Sequence, residues 1–372
     1  MAQQTKLRAA GEKAVSLVRA IGYESSLCLR ESNAKATCQK CLDICPGHAI
    51  RLPKATDTPG GVKLSLSKGF CVDCGLCCNV CPTSAFIILE PTLRYLRQLL
   101  KRANAAAGKD NHVYLTCIET GLAAEHGSVV ELPCLGALTT EMWTSLILDF
   151  PNLAVYLPGD LCGRCKAKDA ESIIVDAVCA AQEIAEAEVT LVEHRRELDF
   201  TDSKGRLPTK EDDGMNLGIG EMVRDITHGA DEDLSEEERG TADMRKTRVR
   251  IRKEITPEEG EETPGMKGGE GLTGTLTANR AAILDAVLRF PQIAKNTKLH
   301  GMQLHPEKCT NVDEVMAACP LGAVKKDENG KAYIDKLICV GCELCAIIAQ
   351  GEGAVEPCET SCEELLLKTN ED

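Results

Sequence analysis

The sequence predicts small α+β units built on cysteine loops at both ends, flanking a small α/β domain, with a long acidic, low-complexity linker before the last unit. Three observations carry that prediction. Fourteen of the 21 cysteines fall in two regions, residues 28–81 and 309–345, mostly at C-x2-C spacing. Between residues 112 and 193, four short apolar runs alternate with amphipathic stretches. Residues 199–272 hold no cysteine and one aromatic, Phe200, among blocks of like charge. The expected units are therefore 1–107, 108–198, 199–275 and 276–372.

A chain of 372 residues accommodates two or three domains, and 43% hydrophobic with only 3% aromatic residues implies modest aliphatic cores. The net charge of -14 argues against nucleic acid as the main ligand, since backbone binding needs clustered Lys and Arg. No apolar run reaches the roughly 18 residues that span a bilayer, so no direct membrane insertion is expected. The first residues lack the apolar core and cleavage site of a secretory leader, so the cysteines are expected in a reducing cytoplasm.

Taking the elements in order, Leu7, Ala10, Ala14, Val15 and Val18 recur at helical spacing and predict a helix over residues 5–20. Cys71, Cys74, Cys77 and Cys81, followed by Pro82, fit the C-x2-C-x2-C-x3-C-P run that holds 4Fe-4S clusters in bacterial ferredoxins. Three thiolates at this spacing reach one cube, and the fourth turns to the other cluster of a pair. A second half-site must exist, and Cys38, Cys41, Cys45 and Pro46 supply it. Its first ligand would stand at position 35, which is Lys35, so Cys28 takes that place across a seven-residue insertion. The expected sets are Cys28, Cys38, Cys41 and Cys81, and Cys71, Cys74, Cys77 and Cys45. The alternative leaves Cys28 a free buried thiol and the first cluster with three ligands. Cys78 adjoins a ligand and is expected to point elsewhere. Pro46, Gly47, Ala49 and Ile50 match Pro82, Thr83, Ala85 and Phe86 in position, an internal repeat.

After Pro91, Leu93, Leu96, Leu99 and Leu100 lie on one side of a predicted helix, with Arg94, Arg97, Lys101 and Arg102 expected on its solvated face. That face is either a basic docking surface for an acidic partner or a plain solvated helix. The runs HVYLTC, SVVELPC, LAVYLP and VTLVE predict strands, with helices over 138–150 and 169–187 between them. Cys117 and Cys134 end the first two strands, and Cys162 and Cys165 follow the third. Strand ends converge on one edge of an open α/β sheet, where a cofactor binds. Four thiolates there suit an iron-sulfur cluster or, alternatively, zinc. Cys179, among alanines in the second helix, is expected in the core.

The linker carries EDD, DEDLSEEE, the basic run MRKTRVRIRK, EEGEE and five glycines between 265 and 274. This composition buries too little apolar surface to offset its ordering entropy. Thr277 then reads as an N-cap for a helix with Ala281, Leu284, Val287 and Leu288 as its apolar stripe. Cys339, Cys342 and Cys345 repeat the x2, x2 spacing, and Cys319 with Pro320 supplies the fourth ligand of one 4Fe-4S cluster. The companion site keeps only Cys309; Val312, Val315 and Ala349 stand at its other positions. Cys309, Cys358 and Cys362 either rebuild a second site or are unligated surface thiols.

Residues 28–90 resemble two-cluster bacterial-type ferredoxins, and residues 305–350 resemble a ferredoxin domain with one site lost, so both ends are expected to be ferredoxin-like. Cys117, the VELPCLG around Cys134, and the pair Cys162 and Cys165 resemble the iron-sulfur delta subunit of methyl-viologen-reducing hydrogenases. That resemblance implies a fourth cluster, of 2Fe-2S type, and a place in a large electron-transferring complex. The CGRC segment departs from that family by lacking its histidine-containing stretch. The expected function is a multi-cluster electron-transfer subunit of an anaerobic oxidoreductase complex, holding three 4Fe-4S clusters and a further site. Its expected partners are flavin, molybdenum, hydrogenase or disulfide-reductase subunits. The alternatives are a catalytic subunit reducing a sulfur or disulfide substrate, for which Cys358 and Cys362 offer a thiol pair, and a cluster-based redox sensor. No dinucleotide fingerprint and no His-acid pair at catalytic spacing accompanies them.

Overall fold

The computed structural model describes residues 21–52, 63–67, 69–88, 91–108, 111–167, 170–200 and 276–366. The helix expected over 5–20 and the linker from 201 to 275 lie outside these residues. The structure is mixed α/β.

The N-terminal part is small and loop-rich because its thiol-bearing turns leave little chain for regular structure. Strand β1 (Ile21–Tyr23) pairs antiparallel with β4 (Phe86–Ile88), and β2 (Ile50–Arg51) pairs with β3 (Ser65–Leu66). Three short helices, α1 (Leu29–Ser32), α2 (Lys40–Ile44) and α3 (Leu76–Val80), follow cysteines or carry them. Helix α4 (Leu93–Ala107) begins after Thr92, whose hydroxyl accepts from the Tyr95 N–H, and buries Leu96, Leu100, Ala103 and Ala107. Arg97 departs from the expected solvated face. It pairs with Asp149 at 2.9 Å and Asp285 at 3.0 Å, because carboxylates from two later helices close over it.

Next come four parallel strands, β5 (Val113–Cys117), β6 (Val129–Leu132), β7 (Leu153–Tyr156) and β8 (Thr190–Val192), in the order β6-β5-β7-β8. β5 and β7 are buried on both faces almost throughout, as a covered parallel sheet requires. Helix α5 (Thr140–Asp149), the short α6 (Gly159–Cys162) and α7 (Ala170–Ala185) connect them. Cys179 is exposed, not in the core: α7 buries Ile174, Ala177, Val178, Ala181 and Ala185, and position 179 falls outside that stripe.

Helix α8 (Ala278–Arg289) is capped by Thr277, and beyond the expected stripe it also buries Ala282, Ile283 and Ala286. It is enclosed because it packs on α5 on one side and on the C-terminal unit on the other. That unit pairs β9 (Lys298–Leu304) with the later β12 (Val355–Ser361) and forms a hairpin from β10 (Val324–Lys326) and β11 (Ala332–Ile334). Its helices are α9 (Val312–Ala318), α10 (Leu344–Ile348) and α11 (Cys362–Leu366). Val315 is fully buried, with Val312 and Ala349 packed on the same core. One apolar core joins this unit to Leu27, Leu29, Ala36 and Ala85 of the N-terminal part.

Candidate metal centres

Each Cys-Pro ends a helix and enters the same turn. His48, Ser84 and Gly322, three residues after Cys45, Cys81 and Cys319, take positive φ of 46°, 49° and 62°. Their N–H groups donate to the cysteine carbonyls at 3.1, 3.2 and 3.1 Å. The turn aims the next N–H at sulfur: Ala49 donates to Cys45 Sγ at 3.3 Å, Ala85 to Cys81 Sγ at 3.2 Å and Ala323 to Cys319 Sγ at 3.3 Å. The C-x2-C-x2-C loops repeat as closely, with positive φ at Asp73 and Gly75 in one and at Gly341 and Glu343 in the other. Backbone N–H groups aimed at sulfur favour thiolate over thiol and tune what the thiolate binds.

The thiols gather in four neighbourhoods. Burial, then the charges of Cys81, Cys28 and Cys38, push the Cys41 thiol up to about 12. Leu29, Leu64 and Phe86 wall a cavity on this group. Burial and the neighbouring Cys77, Cys45 and Cys71 push Cys74 up to about 11. Cys77 is raised further, chiefly by a hydrogen bond with the Cys78 thiol and then by burial. Cys78 is buried and its thiol hydrogen-bonds with that of Cys77, contrary to the expectation that it points elsewhere. In the C-terminal unit, burial with Cys342, Cys339 and Cys319 as neighbours pushes Cys345 up to about 12. Met302, Leu321, Val324, Ile334 and Leu344 wall that cavity.

The fourth neighbourhood lies at the carboxyl edge of the parallel sheet, where the strand order reverses direction at β5. Burial, then Cys117, Glu171, Cys134 and Cys165, push Cys162 up to about 12, and burial with Cys74, Cys117 and Cys165 nearby pushes Cys134 up to about 11. Cys134 Sγ accepts from the Gly136 N–H and Cys165 Sγ from the Ala167 N–H, both at 3.4 Å. The long helix α7 begins five residues beyond Cys165, and its first turn, with Ala170 and Glu171, lies beside these thiols.

Cys309, Cys358 and Cys362 occupy three different surroundings. The Cys309 thiol is buried and donates to Asn311 Oδ1, Cys358 faces Cys339 across Gly301, and Cys362 is fully buried beside Arg280. Two of them are therefore not the surface thiols of one reading, because β12 and α11 fold back over the core. Among the described residues, no three His, Cys, Asp or Glu side chains stand close enough for a single metal ion. Thiols walled by apolar side chains and fed by N–H donors are surroundings that suit an iron-sulfur core.

A model of the 4Fe-4S dicluster domain matches residues 36–85, so a ferredoxin-type 4Fe-4S domain lies near the N-terminus. The chain is 37% identical over 60 residues to the thiosulfate reductase electron transfer subunit PhsB of Salmonella typhi, covering 16% of this chain and 31% of that protein. It is 43% identical over 42 residues to the pyruvate synthase subunit PorD of Methanocaldococcus jannaschii, covering 11% of this chain and 49% of that one. The chain thus spans half or less of either relative. No solved structure matches. These similarities support an electron-transfer role.

Proposed function

We propose that the chain is a one-electron relay, an electron-transfer subunit of a larger redox complex that carries three 4Fe-4S sites and a 2Fe-2S site in series. Cys28, Cys38, Cys41 and Cys81 hold the first; Cys45, Cys71, Cys74 and Cys77 the second; Cys117, Cys134, Cys162 and Cys165 the two-iron site; and Cys319, Cys339, Cys342 and Cys345 the last. When bound, a cluster fully ligated by cysteine supplies one-electron exchange and no open iron for a substrate. The observation that carries the reading is the contiguity of the thiol sets. Cys41 of the first set neighbours Cys77 of the second, and Cys74 of the second neighbours Cys134 of the sheet-edge set. The last set shares an apolar core with the first. Apolar side chains wall the first and last sets, and N–H donors hold the sulfurs in place.

The relatives' printed names include a thiosulfate reductase and a pyruvate synthase, which fits a partner that is itself a redox enzyme subunit. The test uses the purified chain under argon with reduced methyl viologen. The relay reading predicts rapid oxidation of the dye by an added one-electron acceptor through the chain, and no turnover of thiosulfate or of a disulfide. Sustained substrate reduction by the chain alone would make it a catalytic subunit.

A further inference from the structure

Arg280 breaks the local rules for its position. It is only 7% exposed and stands third in helix α8, after the N-cap Thr277. Glu or Gln at that position completes a capping box and matches the positive end of the helix dipole, whereas a cation opposes it. A buried cation also needs a counter-charge. Among the described residues no carboxylate pairs with Arg280 at ion-pair distance; the charge of Glu141 acts on it from further off. Its Nη2 donates instead to the carbonyl oxygens of His300, at 2.9 Å, and of Cys339. Those dipoles orient the guanidinium without neutralising it. Cys339 belongs to the C-terminal thiol set, and Arg280 also lines the cavity between Cys81 and Pro82 on one side and Val340 on the other.

We propose that Arg280 is the built-in counter-charge of the Cys319, Cys339, Cys342 and Cys345 centre and raises its reduction potential, making it the resting place for an electron within the chain. This rests on the reading of that set as an iron-sulfur site. Such a site gains one negative charge when it takes one electron from the redox partner, and a fixed cation in a low-dielectric setting favours the more negative state. Arg280 is thus a positioning residue that orients the Cys339 loop and sets the local field.

The test is an anaerobic redox titration of the loaded full-length chain, followed by EPR, with the C-terminal signal assigned by its loss in Cys345→Ala. Arg280→Gln keeps donors for the two carbonyls and removes the charge. It should shift the reduced-to-oxidised ratio at fixed potential about tenfold toward oxidised, a midpoint about 59 mV lower for one electron. Arg280→Lys should restore most of the shift. Glu141→Gln leaves Arg280 in place and removes the opposing charge, so its midpoint should rise, which keeps the idea testable if the glutamine variant misfolds. Unchanged midpoints in Arg280→Gln, or in Glu141→Gln where only that variant folds, would overturn the role of Arg280. No cluster lost in Cys345→Ala would instead overturn the underlying assignment of the site.

Discussion

Burial in an apolar pocket and repulsion from neighbouring thiols both disfavour a charged sulfur, which is why Cys41 and Cys345 are raised alike. The sequence brought out the grouping of these residues, because spacing on a tight loop is a local property. It was weaker where one residue's role depends on distant chain. Cys28 lies ten residues from its nearest set member in sequence, yet it is one of the charges acting on Cys41. Cys78 is the more deeply buried of the two, yet its thiol hydrogen-bonds to that of Cys77. The pair gives a sharp contrast. Cys28→Ala should lower iron by about one to four atoms per chain and abolish one 4Fe-4S signal, while Cys78→Ala should retain both. Equal iron in the two variants would restore the three-ligand alternative. Arg280 was not legible from the cysteine spacing: its only sequence mark is a cation where a capping box places Glu or Gln.

Among elements, the strands and the two long helices between them were legible from periodicity, since each buries a face that its own residues define. What was not legible is how the thiol loops dock. Asn79 Nδ2 donates to the carbonyls of Gly136 and Leu138, at 3.3 and 2.9 Å, and Leu76 is buried in the core beneath the sheet-edge site. Gly75, at φ 71°, lets the backbone come so near that an added Cβ would lie 2.2 Å from Ala137 Cβ. Gly75→Ala should therefore cost on the order of 1–3 kcal/mol in unfolding free energy. It should also slow electron exchange between the second set and the sheet-edge set, read by rapid-freeze EPR. A variant as stable and as fast as the parent would show that this approach is not needed. The four-membered ring of Arg97, Asp149, Arg289 and Asp285 escaped the sequence for the same reason. Its acids sit on α5 and α8, far along the chain from α4, so the arginine face read as solvated.

Across the whole molecule, contiguity is the property that matters. From the sheet edge the thiol sets run through Cys134 and Cys74 to the second set, through Cys77 and Cys41 to the first, and across the shared core to the last. That order does not follow the chain, because the sheet-edge set comes third in sequence and first in space. Spacing motifs predict how many sites exist and which residues belong to each, but packing alone decides which are neighbours. Among the described residues, no helix is long and apolar enough to cross a membrane. The most direct measurement is iron, acid-labile sulfide and zinc per chain on protein purified without oxygen, with EPR of the dithionite-reduced sample. Three four-iron sites and a two-iron site predict about 14 iron, matching sulfide, no stoichiometric zinc, and both fast-relaxing 4Fe-4S and slower 2Fe-2S signals. About 8 iron or fewer would confine the clusters to the N-terminal pair and contradict a relay through the whole chain.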